Sequence, residues 1–205
     1  MSDLIAATRA ALARPSGPSS DYDLNPGVVL PDGRKLRPAA VLAAVQDTSD
    51  GPALVLTKRS SALKHHPGQI AFPGGKQDPG DPTIVDAALR EAEEEIGLPR
   101  NHVEILGRLA PHETVTGFDV TPIIARITRD FEPRPEAGEV DEVFHVPLAH
   151  VLDPERFVVQ SRRWRGSRRH YYAVPYGPYY IWGATARILR AWTDALKHSA
   201  PTHRS

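Results

Sequence analysis

The stretch Arg90-Glu91-Ala92-Glu93-Glu94-Glu95-Ile96-Gly97-Leu98, preceded by the pair Gly74-Gly75, decides how the rest of the chain is read. On a helix, Glu91, Glu94 and Glu95 stand at i, i+3 and i+4, so their carboxylates share one face. Like charges at that spacing repel by roughly a few tenths of a kcal/mol per pair on an exposed helix, and by more where water is scarce. A divalent cation with oxygen ligands offsets the repulsion. Mg²⁺ takes carboxylate oxygens, keeps several waters and shares its remaining positions with substrate phosphates. The residues therefore point to a metal site for phosphate chemistry, with a solvated acidic helix face as the alternative.

Outward from this stretch, Thr83 or Asp81 is placed to cap a helix that runs to about Ile96, where Gly97 ends it. Ile84, Ala87, Ala88, Ala92 and Ile96 form its apolar stripe, Leu89 lies beside it, and the glutamates are expected to face elsewhere. Upstream, apolar runs over 38–45 and 53–57 read as a hairpin around the polar turn 47–52. Residues 70–72 read as a short buried strand ended by Pro73-Gly74-Gly75. Downstream, strands are expected over 103–109, 120–127, 142–146 and 157–160. A hairpin around 165–167 joins 162–164 to 170–174, a further strand is expected over 179–182, and a helix over 183–198. An N-terminal helix over 2–13, with Ser2 as its cap, leads into a flexible connector over 15–20. That arm can lie on the core or swap to a partner chain in a homodimer. The pattern gives an arm and linker over 1–20, one domain over 21–200 and a tail over 201–205. Strands around one central helix, with a second helix at the end, form an α/β fold with a mixed sheet between helical layers.

Composition narrows the function classes. With 205 residues, 40% of them hydrophobic, the chain suits one well-buried core. The formal net charge is zero and the pI near 7.2, so no global field draws it to nucleic acid or an anionic membrane, and anion recognition must be local. The absence of cysteine excludes a disulfide scaffold, a thiolate zinc site and a cysteine nucleophile. The N-terminus has no basic start followed by a long apolar core, and no run approaches about 18 apolar residues. The expectation is a cytoplasmic protein that spans no membrane.

Within this frame the acidic stretch resembles the Nudix hydrolase signature, Gly-x5-Glu-x7-Arg-Glu-U-x-Glu-Glu-x-Gly-U with U aliphatic. Arg90 to Leu98 matches its second half, with Ala92 as a small aliphatic residue. The first half departs: five residues lead from Gly75 to Asp81 where the signature has Glu, and eight rather than seven separate Asp81 from Arg90. That leaves the roles of Asp78 and Asp81 open. The block from Leu56 through Arg59-Ser60, Leu63-Lys64, His66 and Gly68-Gln69 to Gly74-Gly75 resembles the extra motif of the coenzyme A pyrophosphatase branch, whose members share a lengthened, aspartate-containing spacer. Residues 117–122 and 181–189 are also similar to that branch. The resemblance implies a Nudix-type α/β/α sandwich and an Mg²⁺- or Mn²⁺-dependent pyrophosphatase. Its substrate would be CoA or acyl-CoA, and its products 3′,5′-ADP and 4′-phosphopantetheine or its acyl form. ADP-ribose or another nucleoside diphosphate derivative is the alternative substrate, and a non-catalytic nucleotide sensor the alternative function.

Roles follow residue by residue. Glu91, Glu94 and Glu95 supply the metal ligands, Glu94 also counting among the catalytic residues. Arg90 orients a carboxylate through charge-assisted hydrogen bonds. Gly74 and Gly75 bring backbone N–H groups near a phosphate or keep the path from strand to helix tight. Lys58, Arg59, Lys64 and His66 form a basic segment, and CoA, which carries a 3′-phosphate besides its diphosphate, needs a second positive patch. The resemblance places Arg59, Lys64, His66 and Gln69 near CoA. For the general base, Glu139, Asp141 and Glu142 are the distant candidates, and Glu139 is preferred by similarity to a Glu-Val-x-x-Val pattern in the branch. The segment from Arg162 to Arg169 invites a nucleic-acid reading. An exposed hairpin that reaches adenine or phosphate fits it equally, and the neutral net charge disfavours nucleic acid.

Overall fold

A computed structural model describes residues 2–31, 33–164 and 166–199. The expected tail over 201–205, the Ser2 side chain, the Trp164 side chain and Arg165 lie outside the described residues. The fold is built on β2 (Arg37–Thr48) and β3 (Gly51–Arg59), joined as an antiparallel hairpin with Thr48 opposite Gly51. Both strands are apolar on both faces because both faces are covered. On β2, Ala39, Ala43 and Val45 enter one hydrophobic cluster while Ala40, Leu42 and Ala44 enter the other.

The first cluster carries α1 (Ser2–Leu12), through Leu4, Ile5 and Leu12, and α4 (Ala184–Ser199), through Ile188, Leu189 and Trp192. The second carries α2 (Ile84–Ile96), through Ile96 and through Ala87, Ala88 and Ala92, whose small side chains let the helix lie close on the sheet. The result is the α/β/α sandwich. Among the described residues its sheet has nine strands, adding β1 (Ser19–Ser20), β4 (Ile70–Ala71), β5 (Gly74–Lys76), β6 (Val103–Arg108), β7 (His112–Glu113), β8 (Phe118–Ile127) and β9 (Val140–Pro147). It is mixed: β8 runs parallel to β2, whereas β5 is antiparallel to β2 and β9 to β3. A short helix, α3 (Leu148–Val151), follows β9. Outside the main sheet, β10 (Val158–Trp164) and β11 (Ser167–Ala173) form an antiparallel ribbon.

Several expectations are corrected. The connector over 15–20 ends in β1, which pairs with β7; Ser19 Oγ meets the fully buried His112 at Nδ1 (2.9 Å). Two short patterns, the dipeptide β1 and the glycine-rich β5, carry no period a sequence can show. Residues 157–160 and 162–164 are not separate strands, because β10 pairs without interruption from Val158 with Ala173 to Trp164 with Ser167. Residues 179–182 make only isolated bridges, since Pro175 and Pro178 deny that segment ladder donors. Among the described residues no helix is long and apolar enough to cross a membrane.

Candidate active site

The acidic edge is set by the two ends of α2. Thr83 caps the helix, its side chain accepting the Asp86 N–H (3.2 Å), and Gly97 closes it at φ +70°, where its N–H reaches the Ala92 and Glu93 carbonyls. Arg90, held between these caps, is the hub. Its Nε donates to Asp81 Oδ1 (3.0 Å), its Nη2 to Asp81 Oδ2 (3.0 Å) and the Lys76 carbonyl (3.0 Å), and its Nη1 to Glu91 (3.0 Å) and Glu94 (2.9 Å). The bidentate pair is the strong geometry for a guanidinium and a carboxylate. It holds Asp81 below the usual carboxylate range, and Asp81 in turn pushes the Arg90 pKa further up. Asp81 also accepts the Asp78 N–H (2.8 Å), so the lengthened spacer folds into a clamp for Arg90.

Glu95 corrects the expectation that the glutamates point away from the core. It is only 6% exposed and accepts the Gly74 N–H at 3.0 Å. Burial lifts its pKa to about 7, with Glu91 and Glu139 adding to the rise while the Gly74 hydrogen bond and Arg59 oppose it. Burial raises Glu91 as well, against the pull of Arg90. Each glycine is required for a different contact. A Cβ on Gly74 would lie 2.3 Å from the Ala40 carbonyl oxygen, whereas a Cβ on Gly75 would lie 2.5 Å from the Glu91 carboxylate. Gly75 thus leaves the space that the Glu91 carboxylate fills.

This donor set fits a hard divalent cation. The oxygens are carboxylate, two of them are desolvated at a cost that a cation would reverse, and they lie along one edge. Among the described residues no three acidic or histidine side chains close into a cage. An open edge suits an ion that binds through one or two carboxylates and keeps places for water and phosphate.

Beside this edge opens a cavity of ≈ 270 Å³. Its lining includes Arg59, His66, Gln69 and Phe72 together with Arg162, Arg169, Tyr171 and Trp182. His66 is held at φ +54°, a conformation that costs a non-glycine residue about 1–2 kcal/mol and is kept where the surroundings impose it. Lys64 is exposed and does not line the cavity. At the start of β9, Asp141 accepts the Ser61 N–H (3.0 Å) and Glu142 accepts the Tyr179 hydroxyl. Glu139 is exposed, its carbonyl accepting the Ser60 N–H (2.8 Å).

Comparison with known proteins follows this geometry. The model of the NUDIX domain matches residues 36–170, which include β2, β5, α2 and the Arg90 hub. The chain belongs to the NUDIX domain family. An uncharacterized Nudix hydrolase NudL of Shigella boydii serotype 4 (strain Sb227) is 43% identical over 154 residues, covering 75% of this chain and 80% of the relative. Its counterpart from Escherichia coli O1:K1 / APEC is 42% identical over the same shares. Among solved structures, a Nudix hydrolase from M. smegmatis, RenU, is 26% identical over 57% of this chain and 74% of its own, with a TM-score of 0.48.

Within this Nudix domain, the structure brings Arg90, Glu91, Glu94, Glu95, Gly74 and Gly75 together, while Arg59, His66 and Gln69 line the cavity, Arg59 within electrostatic reach of Glu95. It leaves Lys64 outside and gives the Gly74 N–H to Glu95 rather than to open space. Sequence reading missed Asp81 as the anchor of Arg90. The altered spacer was the only signal. It also missed the share of the cavity wall taken by Asp21, Asn25 and residues 114–116, whose motifs carry no charge pattern of their own.

Proposed function

We propose that this Nudix hydrolase cleaves the diphosphate bond of CoA or its thioesters, giving 3′,5′-ADP and 4′-phosphopantetheine or its acyl form, with Mg²⁺ or Mn²⁺ as cofactor. The observation that carries the reading is that Arg59, which lines the cavity with His66 and Gln69, lies within electrostatic reach of Glu95 on the acidic edge, because Arg59, His66 and Gln69 belong to the block that resembles the CoA branch. A bound divalent ion would neutralise the diphosphate oxygens and acidify a water. Glu91, Glu94 and Glu95 are the residues that would hold it.

The remaining work falls to the chain. Arg90 gathers Glu91 and Glu94 on one nitrogen, Nη1, so little reorganisation is needed when a polyanion arrives. Arg59, within electrostatic reach of Glu95, would supply positive charge to the diphosphate. Glu139 is also within electrostatic reach of Glu95, and with Asp141 and Glu142 committed to neighbouring contacts it is the carboxylate we assign as general base. Glu139→Gln should lower kcat far more than KM; an unchanged kcat removes it from the mechanism.

Product chromatography after incubation with CoA, an acyl-CoA or ADP-ribose tests the whole reading. The expected result is 3′,5′-ADP from CoA, abolished by a chelator and restored by Mg²⁺ or Mn²⁺. Equal turnover of ADP-ribose would retract the substrate assignment, and binding of CoA without cleavage would make the protein a sensor.

A further inference from the structure

The part of the cavity wall that comes from the ribbon β10–β11 is secured by a segment that the reaction described above does not use. Residues 19–25 lie outside the stretch matched by the NUDIX domain model, which begins at residue 36. They nevertheless tie together three distant parts of the molecule. At one end Ser19 and Ser20 pair with His112 and Glu113 of β7, and Asp21 meets His112 Nε2 (3.2 Å) and the Val115 N–H (2.9 Å). In the middle, Asp23 accepts from Arg187 of α4 (2.7 Å). At the other end, Asn25 reaches β11. Its Oδ1 accepts the His170 N–H (2.8 Å), and its Nδ2 donates to the His170 carbonyl (2.9 Å) and to the Asp21 carbonyl (3.3 Å).

Only an amide can make the Asn25 contact. Exchanging both hydrogen bonds with a single residue is what a neighbouring antiparallel strand does, so the side chain stands in for a strand residue beside β11. Asn25 is buried, and an oxygen in place of its Nδ2 would face two carbonyl oxygens with no proton between them. The ribbon needs such a tie. Among the described residues β10 and β11 form a two-stranded sheet of their own, and an isolated ribbon of that kind is marginally stable. Its base is held by the Gly183 N–H on the Tyr172 carbonyl (3.0 Å) and by the bridge between Ala173 and Trp182. Nearer the turn, Asn25 holds His170, and Tyr22 of the same segment lies against Arg169, with the guanidinium 5.5 Å from the ring centre. Arg162 and Tyr171, which line the cavity, belong to this outer part.

We propose that Asn25 is a positioning residue for substrate binding: by fixing His170 it holds the ribbon wall of the cavity in the geometry that receives the substrate, and so it sets KM rather than kcat. The inference rests on reading this cavity as the substrate site of the Nudix pyrophosphatase. A wall fixed beforehand needs no ordering when substrate binds, whereas a loosened wall must be ordered each time, and that cost falls on affinity. The acidic edge is held by its own bonds to Arg90 and to the Gly74 N–H and shares none of these ties, so the chemical step is left alone.

The test measures steady-state kinetics with CoA for the wild type, Asn25→Asp and Arg187→Gln. Val151→Ala controls for lost stability, since Val151 is buried in α3 and does not line the cavity. Asn25→Asp is nearly isosteric and keeps the oxygen that accepts the His170 N–H while losing the donor. It should raise KM about tenfold and change kcat by less than about threefold. Deuterium exchange in β11 should quicken, and Mn²⁺ affinity should stay within about twofold of the wild type. Arg187→Gln cuts the milder tie to α4 at a partly exposed site, so it reports even where Asn25→Asp folds poorly; its KM should rise about threefold. Val151→Ala should leave KM unchanged. The proposal is overturned if neither variant moves KM, if kcat falls as far as KM rises, or if Val151→Ala raises KM equally. A higher KM with unchanged exchange in β11 also overturns it, because Asn25 would then act by direct contact. In all these cases the wild type still cleaves CoA and the functional reading stands. If ADP-ribose is cleaved instead, the substrate assignment falls and the same split is read on ADP-ribose. Cleavage of neither overturns both.

Discussion

The acidic edge and the β10–β11 ribbon hold charge in opposite ways. At the acidic edge, residues from 74 to 95 lie on adjacent elements, and each carboxylate has a named partner: Glu91, Glu94 and Asp81 on Arg90, and Glu95 on the Gly74 N–H. At the ribbon, Arg162 and Arg169 share one hairpin, Tyr22 and Trp182 come from other segments, and the rings lie against the guanidiniums. The first is a local, desolvated network whose charge balance is built in. The second is a wall assembled from remote parts, where cations sit opposite each other. Chemistry calls for the rigid edge, because a cation site and its water must be held before substrate arrives. Recognition tolerates the looser wall, where discrimination is a difference of affinities.

The largest break in this comparison should come from Glu94→Gln. We expect kcat for CoA to fall by about 10²–10⁴-fold. The melting temperature should stay nearly constant, because the Glu94 side chain is 58% exposed. Steady-state kinetics with calorimetry checks both halves, and an equal loss of stability would show that the edge is structural.

The adjacent glycines separate fold from site. Gly74→Ala drives a Cβ into the β2 backbone and should cost roughly 1–3 kcal/mol or more by overpacking. Gly75→Ala meets the Glu91 carboxylate instead, so it should weaken Mn²⁺ affinity by about 10–100-fold while costing less stability. Denaturant melts and Mn²⁺ titrations of the two variants measure the contrast.

Glu95 gives a pH signature. Its folded pKa of about 7 lies above the ordinary 4.5, so folding favours the protonated form. In the metal-free protein the resulting stability is fully present below 4.5 and is lost as pH rises through 7. Glu95→Gln should flatten that slope and raise stability at pH 8 by about 1–3 kcal/mol, a discounted conversion of the shift. Because a metal takes the ionised carboxylate, Mn²⁺ affinity of the wild type should increase between pH 6 and pH 8. Melts across pH and isothermal titration test the two signs. The smallest effect belongs to the outer ribbon face: Arg163→Gln with Arg168→Gln should change kcat/KM for CoA by less than threefold, because both side chains are exposed and neither lines the cavity.

What the chain alone determined is what short-range physics can encode. The three glutamates at helical spacing, the Thr83 and Gly97 caps, the alanine stripe and the apolar runs of β2 and β3 all follow from periodicities of one turn or one pleat. Only the tertiary structure decided that Glu95 turns inward to the Gly74 N–H, that Asp81 clamps Arg90 and that Lys64 stays outside the cavity. It also decided that Asn25 pins the ribbon, bringing Arg162 and Arg169 to face Trp182 and Tyr22. Those contacts depend on where separate elements meet and on how much water is left between them, and neither quantity is written in the spacing of residues along one strand or helix.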